Sequence, residues 1–179
     1  MADSAKIKIL SAASELFLEM NPSAITHRTI AEKAGVPLGS TTYHFASLDE
    51  LLANAVDFTL SAATDGRRAW LKKVTPASDL SLTLIQMVLP EEFWNQKAAV
   101  NLYLIWLQGL GYEQSKKSIK VYTEHLIEDI EKVAKIYSLK INPQLLLAIL
   151  DGRILQWIQL DLDFPWLENS IRADFKYIT

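Results

Sequence analysis

TIAEKAGVPLGSTTYHFASLDELL, residues 29–52, packs two short helices, a glycine turn and the start of a third helix into one stretch. Thr26 is the expected N-cap of a helix over His27–Ala34, whose inward residues are Ile30, Ala31 and Ala34. Gly35 supplies a turn through left-handed backbone, and Val36 plugs the junction. Pro37 stands at or near the first position of a second short helix ending at His44 or Phe45. Ser47-Leu48-Asp49-Glu50 is a capping-box pattern that opens a long third one.

Two short helices across a glycine turn make a helix-turn-helix arrangement. The second carries Ser40, Thr42, Tyr43 and His44, residues suited to phosphates and base edges rather than to a core. Ile30, Ala31, Val36, Phe45, Leu51 and Leu52 are expected to be core.

Helical spacing continues in both directions. Upstream, Ile9, Ala12, Ala13, Leu16, Phe17 and Met20 make one face of a helix from about Ser4 to Met20, ended by Asn21-Pro22. Downstream, the helix from Leu48 is expected to reach about Lys73, with Leu51, Leu52, Ala55, Phe58, Ala62 and Trp70 on or near one face. A helix capped by Ser78 or Asp79 runs to about Leu89, and another from Pro90 to about Leu110. The next, Glu113 to Ser138, has an apolar stripe of Ile119, Tyr122, Leu126, Ile130, Val133 and Tyr137. Its wet face is Glu124, Glu128, Glu131, Lys132 and Lys135. Asn142-Pro143 caps a helix to about Leu160 that is apolar nearly all round, so it needs cover on more than one side. Pro165 begins a last short helix. The expected fold is all-α, with about nine helices.

Composition sets limits. The chain has 179 residues, half of them apolar, and no cysteine. Disulfides, thiolate metal sites and thiol catalysis are excluded, and a reducing cytoplasm suits such a chain. No apolar run approaches the roughly 20 residues needed to cross a bilayer, and the first residues lack a signal-peptide core. The net charge is −3. In residues 1–47, Lys6, Lys8, Arg28 and Lys33 are balanced by Asp3, Glu15, Glu19 and Glu32. Any nucleic-acid affinity must therefore come from placed contacts and dimerisation, not from a strong overall field.

The first fifty or so residues resemble the TetR family of transcriptional repressors. The resemblance rests on Ala13, Glu15, Leu16 and Phe17, then Thr26, Arg28, Ile30, Ala31, Ala34, Gly35 and Val36. Gly39, Ser40, Tyr43, His44 and Phe45 continue it, and Ser47, Asp49, Glu50, Leu51 and Leu52 close it. It implies a DNA-binding domain over residues 1–47, with the helix-turn-helix at about 26–45, and a helical regulatory and dimerisation domain over 48–179. It assigns Thr26, Ser40, Thr42, Tyr43 and His44 mainly to phosphates. Arg28 and Leu38 are assigned to a guanine edge and a thymine methyl, with Gly39 beside them. Three positions depart from the family's common pattern: Thr42 stands where Tyr is frequent, Leu48 where Lys is frequent and Asn21 where Gly is frequent.

The resemblance also implies a homodimer on a palindromic double-stranded operator and a small-molecule effector. Candidate effector contacts are Trp70, Phe93, Trp94, Asn101, Tyr103, Trp106, Tyr122, His125 and Gln156, large or polar side chains beside apolar faces. Candidate dimer contacts are Leu146, Ile149, Asp151, Gly152, Arg153, Leu155 and Trp157. No metal, cofactor or membrane partner is expected. Scattered histidines make no metal-ligand spacing, and no nucleophile motif, phosphate loop or paired-carboxylate site suggests an enzyme. Two alternatives stay open: a helical interaction module without specific DNA binding, and a repressor controlled by a protein partner.

Overall fold

The computed structural model describes residues 2–20 and 24–176, and no strand occurs among them. The α-helices are α1 (Ala2–Glu19), α2 (His27–Ala34), α3 (Leu38–His44), α4 (Leu48–Leu71), α5 (Leu80–Val88), α6 (Gln96–Gly109), α7 (Glu113–Ile136), α8 (Pro143–Gln159) and α9 (Phe164–Phe175). The fold class is the expected all-α one. The stop expected at Asn21-Pro22 lies outside the described residues.

The chain divides into two compact units. One comprises Met1–Ala63 with Asn101–Val121, the other Thr64–Val100 with Tyr122–Thr179. The divisions fall inside α4, α6 and α7.

In the first unit α1, α2 and α3 pack on one another around Ile9, Ala13, Phe17, Ile30 and Phe45, all buried. Leu51, Ala55 and Val56 of α4 are fully buried too. Polar side chains mark where helices approach closely. Ser14 Oγ donates to the Leu10 carbonyl at 2.9 Å and lies 3.3 Å from the Ala55 carbonyl. The Thr59 hydroxyl is 2.8 Å from both Ser14 Oγ and its own Ala55 carbonyl. Ser115 Oγ, buried, donates to the Ala53 carbonyl at 3.2 Å. At Gly109 a β-carbon would lie 2.8 Å from Ile119 Cδ1 and 3.1 Å from Val56 Cγ1, so a larger residue there must displace both.

In the second unit α5, α8 and α9 pack together over Leu84, Ile85, Leu146, Leu150, Ile154, Leu167 and Ile171, each fully buried. Asp79 caps α5 by accepting the Leu82 N–H at 3.0 Å. Its other oxygen pairs with Arg172 of α9 at 3.0 Å. Arg153 of α8 holds Asp174 of α9 through two hydrogen bonds, of 2.6 and 2.7 Å.

Three expectations need correction. No single helix runs from Pro90 to Leu110. A 3-10 turn, Glu91–Phe93, comes first, fixed by the Trp94 indole donating to the Leu89 carbonyl at 2.8 Å. α6 then starts afresh, with Asn95 Oδ1 accepting the Ala98 N–H. On α4, Ala62 is exposed and Trp70 half-buried. The buried line instead runs through Val56, Leu60, Thr64 and Arg67, because Arg67 has an internal carboxylate partner, Asp129, at 3.0 Å. Finally, Val36 is half-exposed rather than core.

Candidate nucleic-acid interface

The helix-turn-helix is held by local chemistry. Thr26 Oγ1 accepts the Thr29 N–H at 3.2 Å, and Thr29 Oγ1 accepts the Thr26 N–H at 2.9 Å, a reciprocal cap. Gly35 has φ +65°, and its turn closes with Val36 N–H donating to the Ala31 carbonyl at 3.1 Å. Lys33 ties α2 to α1, its Nζ 2.6 Å from Glu19 and 3.2 Å from Glu15. The Glu19 hydrogen bond leads in holding the Lys33 pKa above its ordinary value.

α3 then presents two faces. Thr41 and Phe45 point inward, and the Thr41 hydroxyl donates to the Leu38 carbonyl at 2.8 Å. Leu38, Gly39, Thr42 and Tyr43 point outward, with Leu38 46% and Tyr43 80% exposed. A leucine and a tyrosine left this open on a seven-residue helix bury little within the chain, and this is the kind of surface that meets another molecule. A β-carbon at Gly39 would meet nothing within 4 Å, so packing within the chain does not require the glycine. The bare backbone permits close approach from outside.

The remaining candidates divide. Thr26 and Arg28 on the α2 side are exposed, whereas Ser40 and His44 are half-buried. The His44 ring meets Tyr43 edge-on at 5.0 Å and tilts against Phe45 at 6.4 Å. Thr42 Oγ1 donates to the Gly39 carbonyl at 3.2 Å, so its one proton must rotate outward to serve a phosphate. At the α3–α4 turn Ser47 Oγ accepts the Glu50 N–H at 3.1 Å. The Glu50 carboxylate accepts the Ala46 N–H at 2.7 Å. Three relevant residues escaped sequence reasoning: Thr29 as the second half of the cap, half-buried His27, and Lys6, whose Nζ lies 5.6 Å from the centroid of the Phe45 ring. A threonine three residues after Thr26 was the available signal for the first.

The effector candidates are distributed over both units. Trp70, Phe93, Trp94, Tyr122, His125 and Gln156 belong to the second unit, Asn101, Tyr103 and Trp106 to the first. Tyr122 is buried, the others are half-buried, and Gln156 is exposed. The Trp94 ring stacks on Phe164 at 4.5 Å. Tyr122 lies under the Arg67 guanidinium at 4.9 Å. Burial pushes the Tyr122 hydroxyl up, and Arg67 opposes this in part. A shallow groove of about 410 Å³ lies elsewhere in the second unit, lined by Ile127, Glu131, Lys135 and Leu139 among others, and includes none of the candidates.

The dimer candidates on α8 also divide. Leu146 and Trp157 are buried inside the chain, against the expectation that they face a partner. They turn toward the side of α8 that packs on α5 and α9. Ile149, Asp151 and Arg153 are half-buried, and Gly152 and Leu155 are exposed. Leu145 and Leu160 join them at 55% and 62% exposure.

No group of three His, Asp or Glu side chains among the described residues is placed to hold a metal ion. No helix among them is long and apolar enough to cross a membrane.

The fold is all-α, with a helix-turn-helix formed by α2 and α3. Residues 9–55 match the family model of bacterial regulatory proteins, tetR family. No curated protein matches the sequence. Among solved structures, the chain is similar to a transcriptional regulator from Rhodococcus sp. Rha1, with 20% identity, TM-score 0.73, and 97% of this chain and 95% of that one covered. It is also similar to the multidrug binding protein EbrR complexed with ethidium, with 25% identity, TM-score 0.66, and 94% and 97% covered. A third similar structure, from Saccharomonospora viridis in complex with choline, shows 15% identity, TM-score 0.76, and 98% and 97% coverage. The family match covers residues 9–55, and the whole chain shares the fold of these solved structures.

Proposed function

We propose that the chain is a ligand-responsive transcriptional repressor that binds a palindromic operator as a homodimer. The outward face of α3, with Tyr43 at 80% exposure, carries this reading. Residues 1–47 form the DNA-binding domain and 48–179 the regulatory and dimerisation domain. Thr26, Ser40, Thr42, Tyr43 and His44 position phosphates, and Arg28 and Leu38, with Gly39, meet base edges.

The exposed side of α8 is the proposed dimer seam. Leu145, Gly152 and Leu155 are spaced as one helical stripe, and a β-carbon at Gly152 would meet nothing within 4 Å in the chain. Ile149, Asp151 and Arg153 flank it, with Arg153 already engaged by Asp174. A two-fold axis there sets two copies of α3 on one duplex, at a spacing near one turn or a multiple of it, roughly 34–36 Å.

The proposed effector is a small organic molecule received among the aromatic side chains of the regulatory part, with Trp70, Tyr122 and His125 as first contacts. The ethidium held by EbrR supports a ligand of this general kind. An effector changes DNA affinity only through its different affinities for the two forms of the protein.

Selection of bound fragments from genomic DNA by the purified protein tests the proposal. Palindromic sites near a few genes are expected. Recovery of no preferred sequence would instead favour a helical interaction module.

A further inference from the structure

We propose that the second unit takes an organic acid as its effector, the carboxylate accepting a hydrogen bond from Nη2 of Arg67; this names the chemical class of the small molecule proposed above and rests on that reading.

Arg67 of α4 is only 7% exposed. Its guanidinium carries N–H donors in a planar fork and keeps its charge. Nε donates to Asp129 Oδ2 at 3.0 Å. The pair stops short of the two-bond fork that arginine and carboxylate frequently make, since the other Asp129 oxygen accepts from Lys132 at 2.7 Å. Nη2 is buried and has no hydrogen-bond partner among the described residues. A charged donor left in the interior without an acceptor forfeits its hydration, so Nη2 calls for an acceptor from outside the chain.

The charge balance says which kind. Asp129 serves Lys132 and Arg67, and Arg68 Nε lies 3.8 Å from the same carboxylate. Asp151 of α8 is close enough to act on the Tyr122 hydroxyl. Three positive charges therefore stand against two negative ones. Arg68 and Lys132 reach water, and Arg67 does not. A water at Nη2 supplies an acceptor and leaves the imbalance, whereas a carboxylate removes both. The surroundings suit an organic body rather than a bare ion. The Arg67 guanidinium lies 4.9 Å from the centroid of the Tyr122 ring. Trp70 stands one turn beyond Arg67 on α4 and His125 one turn beyond Tyr122 on α7, each on the same side of its helix. Both are half-buried, and the path from solvent to Nη2 runs past them. All these residues belong to the second unit.

The experiment is a thermal-shift and binding titration of the full chain at neutral pH with acid and alcohol pairs of matched skeleton. These are benzoate with benzyl alcohol, phenylacetate with 2-phenylethanol, and indole-3-acetate with tryptophol. At least one acid should raise the melting temperature saturably. Its alcohol should bind about tenfold to a hundredfold more weakly, the loss of one charge-assisted hydrogen bond. Arg67→Met with Asp129→Leu removes the anchor without stranding a buried charge, and in that variant acid and alcohol should bind alike. Should the variant not fold, the comparison within the unaltered protein decides. Equal binding of acid and alcohol by the unaltered protein overturns the acid anchor and leaves the small-molecule effector standing. An acid preference that survives in the variant also overturns it, by placing the carboxylate elsewhere. Binding of none of these compounds overturns the acid site and counts against the small-molecule effector with it.

Discussion

Arg67 of α4 and Asp129 of α7 meet at 3.0 Å with almost nothing of either side chain exposed. Lys132, one turn along, brings its ammonium to the other carboxylate oxygen at 2.7 Å. Removing one member strands the other's charge away from water, which typically costs about 3–5 kcal/mol. Replacing both with apolar residues of similar volume is close to neutral. Asp129→Ala should therefore lower the urea midpoint sharply, while Arg67→Met with Asp129→Leu should recover most of the loss. If the single substitution unfolds no more easily than the unaltered protein, the pair is not what holds this part of the core.

The same carboxylate gives stability a pH dependence. Burial alone would push the Asp129 carboxyl up, but hydrogen bonds from Lys132 and Arg67 outweigh it and hold it below its ordinary value of 3.8. A depressed folded-state value means that the stabilisation is complete above the ordinary carboxylate range. It is lost as pH falls through the folded value. The Arg67→Met, Asp129→Leu variant should thus lose less stability than the unaltered protein between about pH 5 and pH 2. Parallel loss in both, followed by circular dichroism in urea, would assign the acid sensitivity to other carboxylates.

Tyr43 contributes almost nothing to the chain's own core, so Tyr43→Ala should weaken operator binding and leave folding and association unchanged. Gel shift at fixed salt, beside a melting curve, reads both. Full affinity in the variant would remove Tyr43 from the interface.

Arg28, exposed on α2, is assigned to a base edge rather than to a phosphate. Arg28→Ala should relax preference at one base pair of each half-site by roughly 1–3 kcal/mol if its contact is bidentate. A panel of single-base variants of the selected duplex measures this. A uniform loss across the panel would instead mark Arg28 as a phosphate contact.

Leu155 is 40% exposed on α8, so Leu155→Glu should be tolerated by the single chain and disfavoured in a dimer packed on that face. Sedimentation should show the variant shifted toward monomer, with weaker operator binding in proportion. An unaltered mass distribution would move the seam elsewhere.

Much of the fold was legible because its signals are local. Thr26, Asp79 and Asn142 announce helix starts by side-chain chemistry that needs no tertiary partner, and α2 spans the expected residues as a result. The outward set on α3 was legible for the same reason. What escaped depends on groups distant in sequence. Arg67 and Asp129 neutralise each other across 62 positions, a pairing that no local signal announces. Leu146 and Trp157 look like seam residues on a helix that is apolar all round, and only packing by α5 and α9 shows which side is already covered. The break between Pro90 and Gln96 hangs on an indole reaching back to Leu89.

The division of the chain inside α4, α6 and α7 bears on how the protein is made. The first unit needs residues 101–121, which bring Gly109 against Val56 and Ser115 to the Ala53 carbonyl. During synthesis, the first three helices leave the ribosome well before those residues exist. The nascent chain must keep the apolar side of α4 out of wrong associations until the second visit arrives, the stage at which larger helical chains are most exposed to aggregation.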